Sequence, residues 1–382
     1  MDDLTREFPL TANIGYLNHA AVGPWPQRTA EAVSRFAREN TVCGAMHYAR
    51  WVAVETALRH QLARLINAPS PDDIALLKNT SEALSVVAYG IDWQPGDNIV
   101  CARQEFPSNK IVWESLSCHG VDIRWVDLSG RDDPEAALLA AIDARTRLLT
   151  VSSVQYADGL RLDLARLGAQ CRRRGILYNV DVIQSLGAAP LDVQKIGADF
   201  VMADGHKWLL APEGLALFYC RAEVRPQLKL YQYGWHMTAE FDDFQAPHWH
   251  PAESARRFEC GSPNMTGIHA LHASVSLLLE TGLEKIESLV KEKAGYLIAA
   301  FQEHPALQLH TPRHADRHLG IVTVSLKSGN NAALHHYLRQ HDIITALRGG
   351  VRFSPHFYTP TTVLERTVEV VDTFLRCHDR KK

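Results

Sequence analysis

The feature that most constrains the fold is an alternation of short apolar runs and helical segments between residues 74 and 220. Seven runs have the length and the β-branched content of strands: IALL, NIVCA, DIRWVDL, RLLTVSSV, ILYNVDVI, ADFVMADG and LALFYC. Segments near 107–118, 134–143 and 163–174 carry apolar residues at helical spacing. This order predicts an α/β fold with a mostly parallel sheet. Ligands bind such sheets at the carboxyl ends of the strands.

The segments outside this alternation have other patterns. Residues 26–66 and 265–302 show helical spacing, and a helix is predicted over each. Residues 222–258 have little periodicity and many aromatic side chains, which is typical of a long functional loop. Shorter strand and helix signals follow residue 302, and they predict a smaller α+β unit at the end of the chain.

Length and composition bound the class of protein. A chain of 382 residues predicts two unequal domains. We expect a large domain over 15–258 and a small α+β domain made of 1–14 and 259–382. Apolar residues make up 46% and charged residues 22%, as in globular proteins. The net charge is -3 with both signs interspersed, and the short basic runs at 172–174 and 380–382 are interpreted as solvated surface. We therefore expect no nucleic-acid partner.

Cysteines and apolar stretches indicate the compartment. The seven cysteines are scattered, and no pair has C-x-x-C spacing. The first residues, MDDLTREF, lack the apolar region of a signal peptide, and no stretch of about 18 apolar residues is present. A cytoplasmic protein with reduced thiols and no membrane partner is the expectation.

Lys207 is the first candidate for chemistry. It follows the apolar run ADFVMADG in the segment DGHKW, where a buried lysine would be costly. Burial lowers the pKa of an amine and makes it a nucleophile toward an aldehyde, which is the role of a Schiff-base lysine. The alternative is a surface lysine on a strand-end turn.

Asp181 and Gln184 lie in the run ILYNVDVIQ, upstream of Lys207. A carboxylate inside an apolar run needs a partner, and a pyridinium N–H is a strong one. That contact would keep the ring of pyridoxal phosphate (PLP) protonated as an electron sink. Gln184 could then reach the phenolic oxygen of the cofactor. The alternative for Asp181 is a helix cap.

The sequence NTSE at 79–82 bridges a predicted strand and a predicted helix. Hydroxyls and free N–H groups at a helix N-terminus form an anion site, so a phosphate could bind there. The alternative is a capping box with Thr80 or Ser81 as the N-cap and Glu82 in the first turn.

The ordered motifs NTSEAL, FPSN, SSVQYADG, DVIQ, DGHKW, ECGSPN and LRGGVRFSPHFY resemble the class V aminotransferase family of fold-type I PLP enzymes. The resemblance runs from NHAAVGP near residue 18 to the last strand. It implies a PLP-dependent transferase fold whose large domain has a mostly parallel sheet of seven strands flanked by helices. It also implies PLP as the cofactor and an amino acid as the substrate.

The same resemblance implies individual roles in cofactor binding. Lys207 would form the covalent link to the cofactor, and His206 would help to hold the phosphate. Thr80 and Ser81 would bind the phosphate through the backbone and the hydroxyls. Phe106 would stack on the ring, although a phenylalanine is more often a core residue.

The resemblance further implies a shared active site in a homodimer. Gly261 and Ser262 would reach the phosphate of the neighbouring subunit's cofactor, although a Gly-Ser-Pro turn needs no ligand. Arg352 would bind the α-carboxylate of the substrate as a bidentate pair, and Arg348 is the other candidate.

Three further residues are weaker candidates for substrate contact. Asn18 and His19 either face the substrate or cap the next helix. Trp235, with its neighbours Tyr233 and His236, either walls the substrate pocket or packs on a dimer partner.

The reaction is less constrained than the cofactor. Cysteine desulfurases carry a reactive cysteine near the carboxylate-binding arginine and stack a histidine on the ring. The stretch ALRGGVRFSPHF contains no cysteine, and Phe106 replaces the histidine; both differences argue against desulfuration. The epimerase-like group, with RGG-x-RFSPHFY, fits best. We expect transamination or side-chain lyase chemistry; epimerisation, kynureninase-like hydrolysis and a catalytically silent binding protein are the alternatives.

Two other enzyme classes lack their motifs. No G-x-G-x-x-G run supports a dinucleotide site, and no H-E-x-x-H run supports a metal site, so no metal is expected.

Overall fold

The computed structural model describes residues 2–10 and 14–379. Within these residues the chain forms twelve α-helices and thirteen β-strands. The helices are α1 (Asp2–Glu7), α2 (Gln27–Cys43), α3 (Tyr48–Leu65), α4 (Thr80–Gly90), α5 (Ser108–Glu114), α6 (Pro134–Ala140), α7 (Leu164–Arg174), α8 (Val193–Ile196), α9 (Met265–Thr281), α10 (Leu283–Phe301), α11 (Asn331–Gln340) and α12 (Thr361–Asp379). The strands are β1 (Gly15–Tyr16), β2 (Ile74–Leu77), β3 (Asn98–Ala102), β4 (Asp122–Val126), β5 (Thr146–Ser152), β6 (Leu177–Asp181), β7 (Phe200–Asp204), β8 (Ala216–Cys220), β9 (Leu307–Leu309), β10 (Val322–Leu326), β11 (Ile343–Ile344), β12 (Ala346–Leu347) and β13 (Val351–Phe353).

The central sheet has seven strands in the described residues, in the order β2-β8-β7-β6-β5-β3-β4. Strand β8 is antiparallel to both of its neighbours, and the other pairs are parallel. The predicted α/β fold with a mostly parallel seven-stranded sheet is therefore confirmed. Six strands end at one edge, so the residues that follow them meet there.

Strands β2, β3, β7 and β8 are buried along their whole length, which explains why they are mostly apolar, whereas the edge strand β4 is partly exposed. Successive side chains of a strand point to opposite faces, so Val100 joins one hydrophobic core and Cys101 joins the other. Val201 and Met202 divide in the same way. Helices α2, α3 and α9 pack against one another on one side of the molecule.

Two predicted helices are each divided in the structure. The helix expected over 26–66 is α2 and α3, and the helix expected over 265–302 is α9 and α10. Gly44 and Gly282 lie at the breaks with positive φ angles of 56° and 87°. Glycine takes this conformation without a Cβ clash and commonly ends a helix. The helical spacing of apolar residues continues past each glycine, but the helix itself ends there.

A smaller α+β unit follows α9. Strands β12, β13, β10 and β9 form an antiparallel sheet, and β1 pairs in parallel with β11. A third core joins Leu17 to Phe353 and Leu364. The N-terminal strand thus packs with the C-terminal unit, whereas the predicted domain bounds at 14/15 and 258/259 stay a prediction.

Two sequence expectations concern surfaces and membranes. Residues 172–174 end α7 and are exposed, whereas the basic run at 380–382 lies outside the described residues. No helix in the described residues combines the length and the hydropathy that crossing a bilayer requires.

Candidate active site

A cavity of about 440 Å³ opens at the carboxyl edge of the central sheet. It is lined by residues that follow β2, β3, β5, β6 and β7 and by residues of the β12–β13 turn. Nine of the predicted site residues line it: Thr80, Ser81, Phe106, Asp181, Gln184, His206, Lys207, Arg348 and Arg352. The topology therefore brings together side chains that are far apart in the sequence.

Lys207 lies on a tight turn after β7. Leu210 N donates to Lys207 O at 3.1 Å, and Ala211 N donates to Gly205 O at 2.9 Å. Leu210 closes this turn with a φ of 58°, which is uncommon for a residue with a branched side chain. Gly23 N donates to His206 O at 2.7 Å, so the N-terminal segment also holds the turn. The lysine is only 9% exposed and lines the cavity.

Burial makes Lys207 a better nucleophile than an exposed lysine. Removal of the ammonium from water lowers the pKa of Lys207 to about 8, the positive charges of Arg352 and Arg348 act in the same direction, and Asp181 and Asp204 oppose the change. Lys207 Nζ lies 5.5 Å from the centre of the Phe106 ring. The side chain can therefore supply a neutral amine close to neutral pH.

This pKa gives a pH dependence for cofactor capture. Only the neutral amine attacks an aldehyde, so the rate at which the apoprotein binds PLP covalently should rise with pH and reach half its maximum at about pH 8. Stopped-flow absorbance at saturating PLP measures this rate. An ordinary lysine would give a midpoint near 10.5, and that result would contradict the effect of burial.

Asp181 ends β6 and is 4% exposed. It accepts hydrogen bonds from Asn109 Nδ2 at 2.7 Å and from Ile183 N at 2.9 Å. Burial raises the pKa of Asp181, while these two donors and the charge of Lys207 oppose that change. The two hydrogen bonds therefore hold the carboxylate in place, but they compensate its negative charge only in part. This arrangement is expected for a carboxylate whose cationic partner is a ligand.

Gln184 is held by two neighbours at the wall of the cavity. Trp208 Nε1 donates to Gln184 Oε1 at 3.0 Å, and Gln184 Nε2 donates to Ala20 O at 3.1 Å. Trp208 is fully buried. These contacts fix the amide orientation and leave one N–H of the amide to donate to a ligand.

The N-terminus of α4 forms the far end of the cavity. Asn79 is the N-cap, because its side chain accepts from Glu82 N at 2.9 Å; the alternative in which Thr80 or Ser81 caps this helix is wrong. Thr80 Oγ1 is buried and has no hydrogen-bond partner in the described part of the chain. Ser81 Oγ donates to Ser108 Oγ at 2.9 Å. Because Asn79 is the cap, Thr80 and Ser81 are the first two residues of the helix. Free backbone N–H groups at this position favour an anion.

His206 lies between the lysine turn and the cavity. Its Nδ1 is 3.1 Å from Asp204 Oδ1, but the two atoms do not form a hydrogen bond. Both residues line the cavity.

The two candidate arginines differ in depth. Arg352 is 2% exposed, and Arg352 Nη1 donates to Tyr156 O at 2.7 Å. Burial, with the nearby charge of Arg348, lowers the pKa of Arg352 to about 10. Arg352 forms no ion pair with an acidic residue in the described ranges. Arg348 is exposed at the opening of the same cavity.

Five predicted residues lie outside the cavity. His19 is fully buried: Nδ1 contacts Ser354 O at 2.8 Å, Nε2 contacts Tyr358 Oη at 2.6 Å, and burial lowers its pKa to about 4. His19 is therefore a neutral, buried residue that lies outside the cavity. The other four are Asn18, Trp235, Gly261 and Ser262.

Those four residues have different surroundings. The backbone of Asn18 pairs with that of Ser354 in an isolated parallel β-bridge. Trp235 lines a separate cavity that is rich in aromatic side chains. Gly261 and Ser262 line a groove beside the start of α4, and Ser262 is exposed.

Comparison with known proteins identifies the family. The Aminotransferase class-V family model matches residues 15–364. The chain belongs to the class V aminotransferase family. These proteins use pyridoxal phosphate, so the chain is a PLP-dependent enzyme.

Individual class V relatives are named for sulfur chemistry. A probable cysteine desulfurase of Methanothermobacter thermautotrophicus is 34% identical over 75% of this chain and 72% of its own length. A cysteine desulfurase of Pectobacterium atrosepticum is 29% identical over 92% of this chain and 88% of its own. Among solved structures, the cystine C–S lyase C-DES has a TM-score of 0.87 at 22% identity over 96% of this chain and 99% of its own. That likeness shows the fold.

Several residues of this class V site were missed by sequence reasoning. Asn109 orients Asp181, and Trp208 orients Gln184. Asn109 follows Phe106 by three residues, so its helical spacing was the available signal. The sequence around Trp208 does not indicate its role, because that role depends on a hydrogen bond to Gln184, which lies 24 positions away.

Glu105 is another missed residue. Its buried carboxyl accepts hydrogen bonds from Ser152 N at 2.7 Å, from Gln155 Nε2 at 2.8 Å and from Ser152 Oγ. Burial raises the pKa of Glu105 to about 7. The carboxyl holds Ser152, a residue of the cavity wall.

Proposed function

We propose that this protein is a PLP-dependent side-chain lyase that removes a sulfur-bearing group from the β-carbon of an amino acid and releases the sulfur in a small molecule. The observation that carries the proposal is a cavity that combines Lys207 with a buried arginine lacking an acidic partner, and that no cysteine lines.

The residues present fit the cofactor. Thr80 Oγ1 is an unpartnered buried hydroxyl at a helix start, which suits a phosphate. Asp181 is a buried carboxylate that suits a protonated pyridine nitrogen. Gln184 suits the phenolic oxygen, Phe106 the ring face, and Lys207 the covalent link. When bound, the cofactor supplies an electron sink for the bonds at Cα.

Arg352 is the residue proposed to bind the α-carboxylate. A buried guanidinium without an acidic partner is costly, and a carboxylate from a ligand would compensate it with two parallel hydrogen bonds. Arg352 Nη1 already donates to Tyr156 O, so the guanidinium is fixed before the substrate binds. This preorganisation directs the amino group of the substrate toward the rest of the cavity.

Lys207 is proposed to move the Cα proton. Burial lowers the pKa of the Lys207 amine to about 8, so Nζ can accept a proton near neutral pH. The electron pair of the broken Cα–H bond forms the Cα–Cβ double bond, and the electrons of the Cβ–S bond leave with sulfur. The organic product is 2-aminoacrylate, which hydrolyses in water to pyruvate and ammonia.

The sulfur is proposed to leave without attachment to the enzyme. All seven cysteines lie in the described ranges, and none lines the cavity. The turn from β12 to β13 contains only residues 348–350, so it has no room for a loop with a reactive cysteine. The curated relatives are named desulfurases, but no cysteine of this chain lines its own cavity.

A homodimer remains part of the proposal. Ser262 is exposed beside the start of α4 and does not line the cavity of its own chain. This position supports the expectation that Gly261 and Ser262 contact the cofactor phosphate of a second subunit.

The reaction test is a product assay on PLP-saturated enzyme with L-cysteine, L-cystine and β-chloro-L-alanine. Lyase activity should give pyruvate and ammonia in equal amounts from each substrate. The small-molecule fraction should contain sulfide from L-cysteine, cysteine persulfide from L-cystine and chloride from β-chloro-L-alanine. Intact-protein mass spectrometry should show no sulfur added to the enzyme. Amino transfer to a keto acid without pyruvate release would contradict the lyase, and a protein-bound persulfide would support desulfuration instead.

A further inference from the structure

The cavity holds a second arginine that the proposed reaction leaves without a role. We propose that the substrate carries a second carboxylate, on the far side of the bond that breaks, and that Arg348 binds it. This inference rests on the proposed function, in which Arg352 binds the α-carboxylate.

The backbone of Arg348 is fixed by the turn in which it lies. Arg348 N donates to Gly350 O at 2.8 Å, and Gly349 has a φ of 69°. A Cβ at Gly350 would lie 2.4 Å from Val324 O, so the turn packs directly on β10. Only glycine allows this approach, and the turn therefore presents Arg348 at a set position on the rim of the cavity.

The guanidinium of Arg348 has spare donors. Arg348 Nη1 donates to Leu347 O, the carbonyl of the preceding residue, at 2.9 Å. The acidic residues that line the cavity are Asp181, Asp204 and Glu213, and in the described residues none forms an ion pair with Arg348. An arginine has five N–H donors, so a ligand carboxylate can be bound by two of them.

The charge of Arg348 acts inside the cavity. Burial is the main cause of the lowered pKa of both Lys207 and Arg352, and the positive charge of Arg348 lowers both further. Arg348 therefore adds positive charge to a cavity that already contains Lys207 and Arg352, and this charge favours the binding of an anion. Arg352 lies on the cavity floor and Arg348 at the opening, which suits one molecule with a carboxylate at each end.

The substrate class that follows is an amino dicarboxylate with sulfur between its two carboxylates. S-Carboxymethyl-L-cysteine is the simplest member of this class. Its Cβ–S bond would lie between the two arginines, and elimination would release thioglycolate, pyruvate and ammonia.

Binding should be measured with L-glutamate and L-glutamine, which differ in the distal carboxylate and carry no group that can leave from Cβ. The visible absorbance of the wild-type holoenzyme and of Arg348→Gln reports the Kd of each. We expect wild type to bind glutamate roughly five- to tenfold more tightly, since the arginine is partly screened by water. Arg348→Gln should bind both alike, with the glutamine Kd within about twofold of wild type.

Arg352→Gln is the matched control, and it should weaken both ligands by the same factor. A wild type that binds both ligands alike or neither, or a preference that survives in Arg348→Gln, would overturn the inference. The lyase proposal is tested separately by pyruvate release from S-carboxymethyl-L-cysteine. An Arg348-dependent preference for glutamate without pyruvate release would support Arg348 as a carboxylate-binding residue and would contradict the lyase.

Discussion

Lys207→Ala should lower kcat by at least about a thousandfold, since the variant loses both the covalent link to the cofactor and the base for the Cα proton. Borohydride reduction followed by denaturing mass spectrometry should show the cofactor mass on the wild-type chain and none on the variant. The fold should be retained, because the lysine side chain lines a cavity and forms no ion pair in the described residues, and the backbone hydrogen bond of the turn does not need it.

Lys195→Ala provides a matched control, because Lys195 is an exposed lysine on α8. It should keep both the cofactor mass and the activity of wild type. Covalent cofactor on the Lys207→Ala chain would place the link at another lysine and refute the assignment of the site.

Asp181→Asn should keep the cofactor bound but lower kcat by about a hundred- to a thousandfold, comparable to the loss of one catalytic charge contact. An amide cannot hold the pyridine nitrogen in its protonated state, so the electron sink is weakened. The visible spectrum of the bound cofactor and its pH dependence should change together with kcat, which a loss of packing alone would not produce.

Asp199→Asn controls for the replacement of a buried aspartate. Asp199 accepts a hydrogen bond from Tyr178 N at 2.8 Å and pairs with Arg221, outside the cavity. This variant should lose thermal stability without a change in the cofactor spectrum. If Asp181→Asn retained kcat within about fivefold of wild type, Asp181 would not be the partner of the ring nitrogen.

The reaction proposed for this cavity and the names of the relatives both concern sulfur chemistry. Cysteine desulfurases and C–S lyases both break the bond between carbon and sulfur at the β-carbon of the substrate. They differ in where the sulfur goes, and that step depends on a thiol within reach. The turn before Arg352 contains only residues 348–350, and none of them is a cysteine.

Sequence alone determined the sheet and the residues at its edge. Seven apolar runs required a sheet buried on both faces, and the rule for ligand binding at strand ends pointed to Thr80, Asp181 and Lys207. These are local signals: each polar residue follows a strand that must be buried. Family resemblance supplied the cofactor, and the family match confirmed it.

Only the tertiary structure decided which polar groups meet. Asn109 contacts Asp181 across 72 positions, and Trp208 contacts Gln184 across 24, because parallel strands end beside one another. In the structure His19 lies outside the cavity, and the two arginines of the cavity differ in burial: Arg352 is buried and Arg348 is exposed. Composition and periodicity record whether a side chain is buried, but not which other side chain fills the space beside it. That choice depends on packing between elements distant in sequence, and it sets the chemistry of the site.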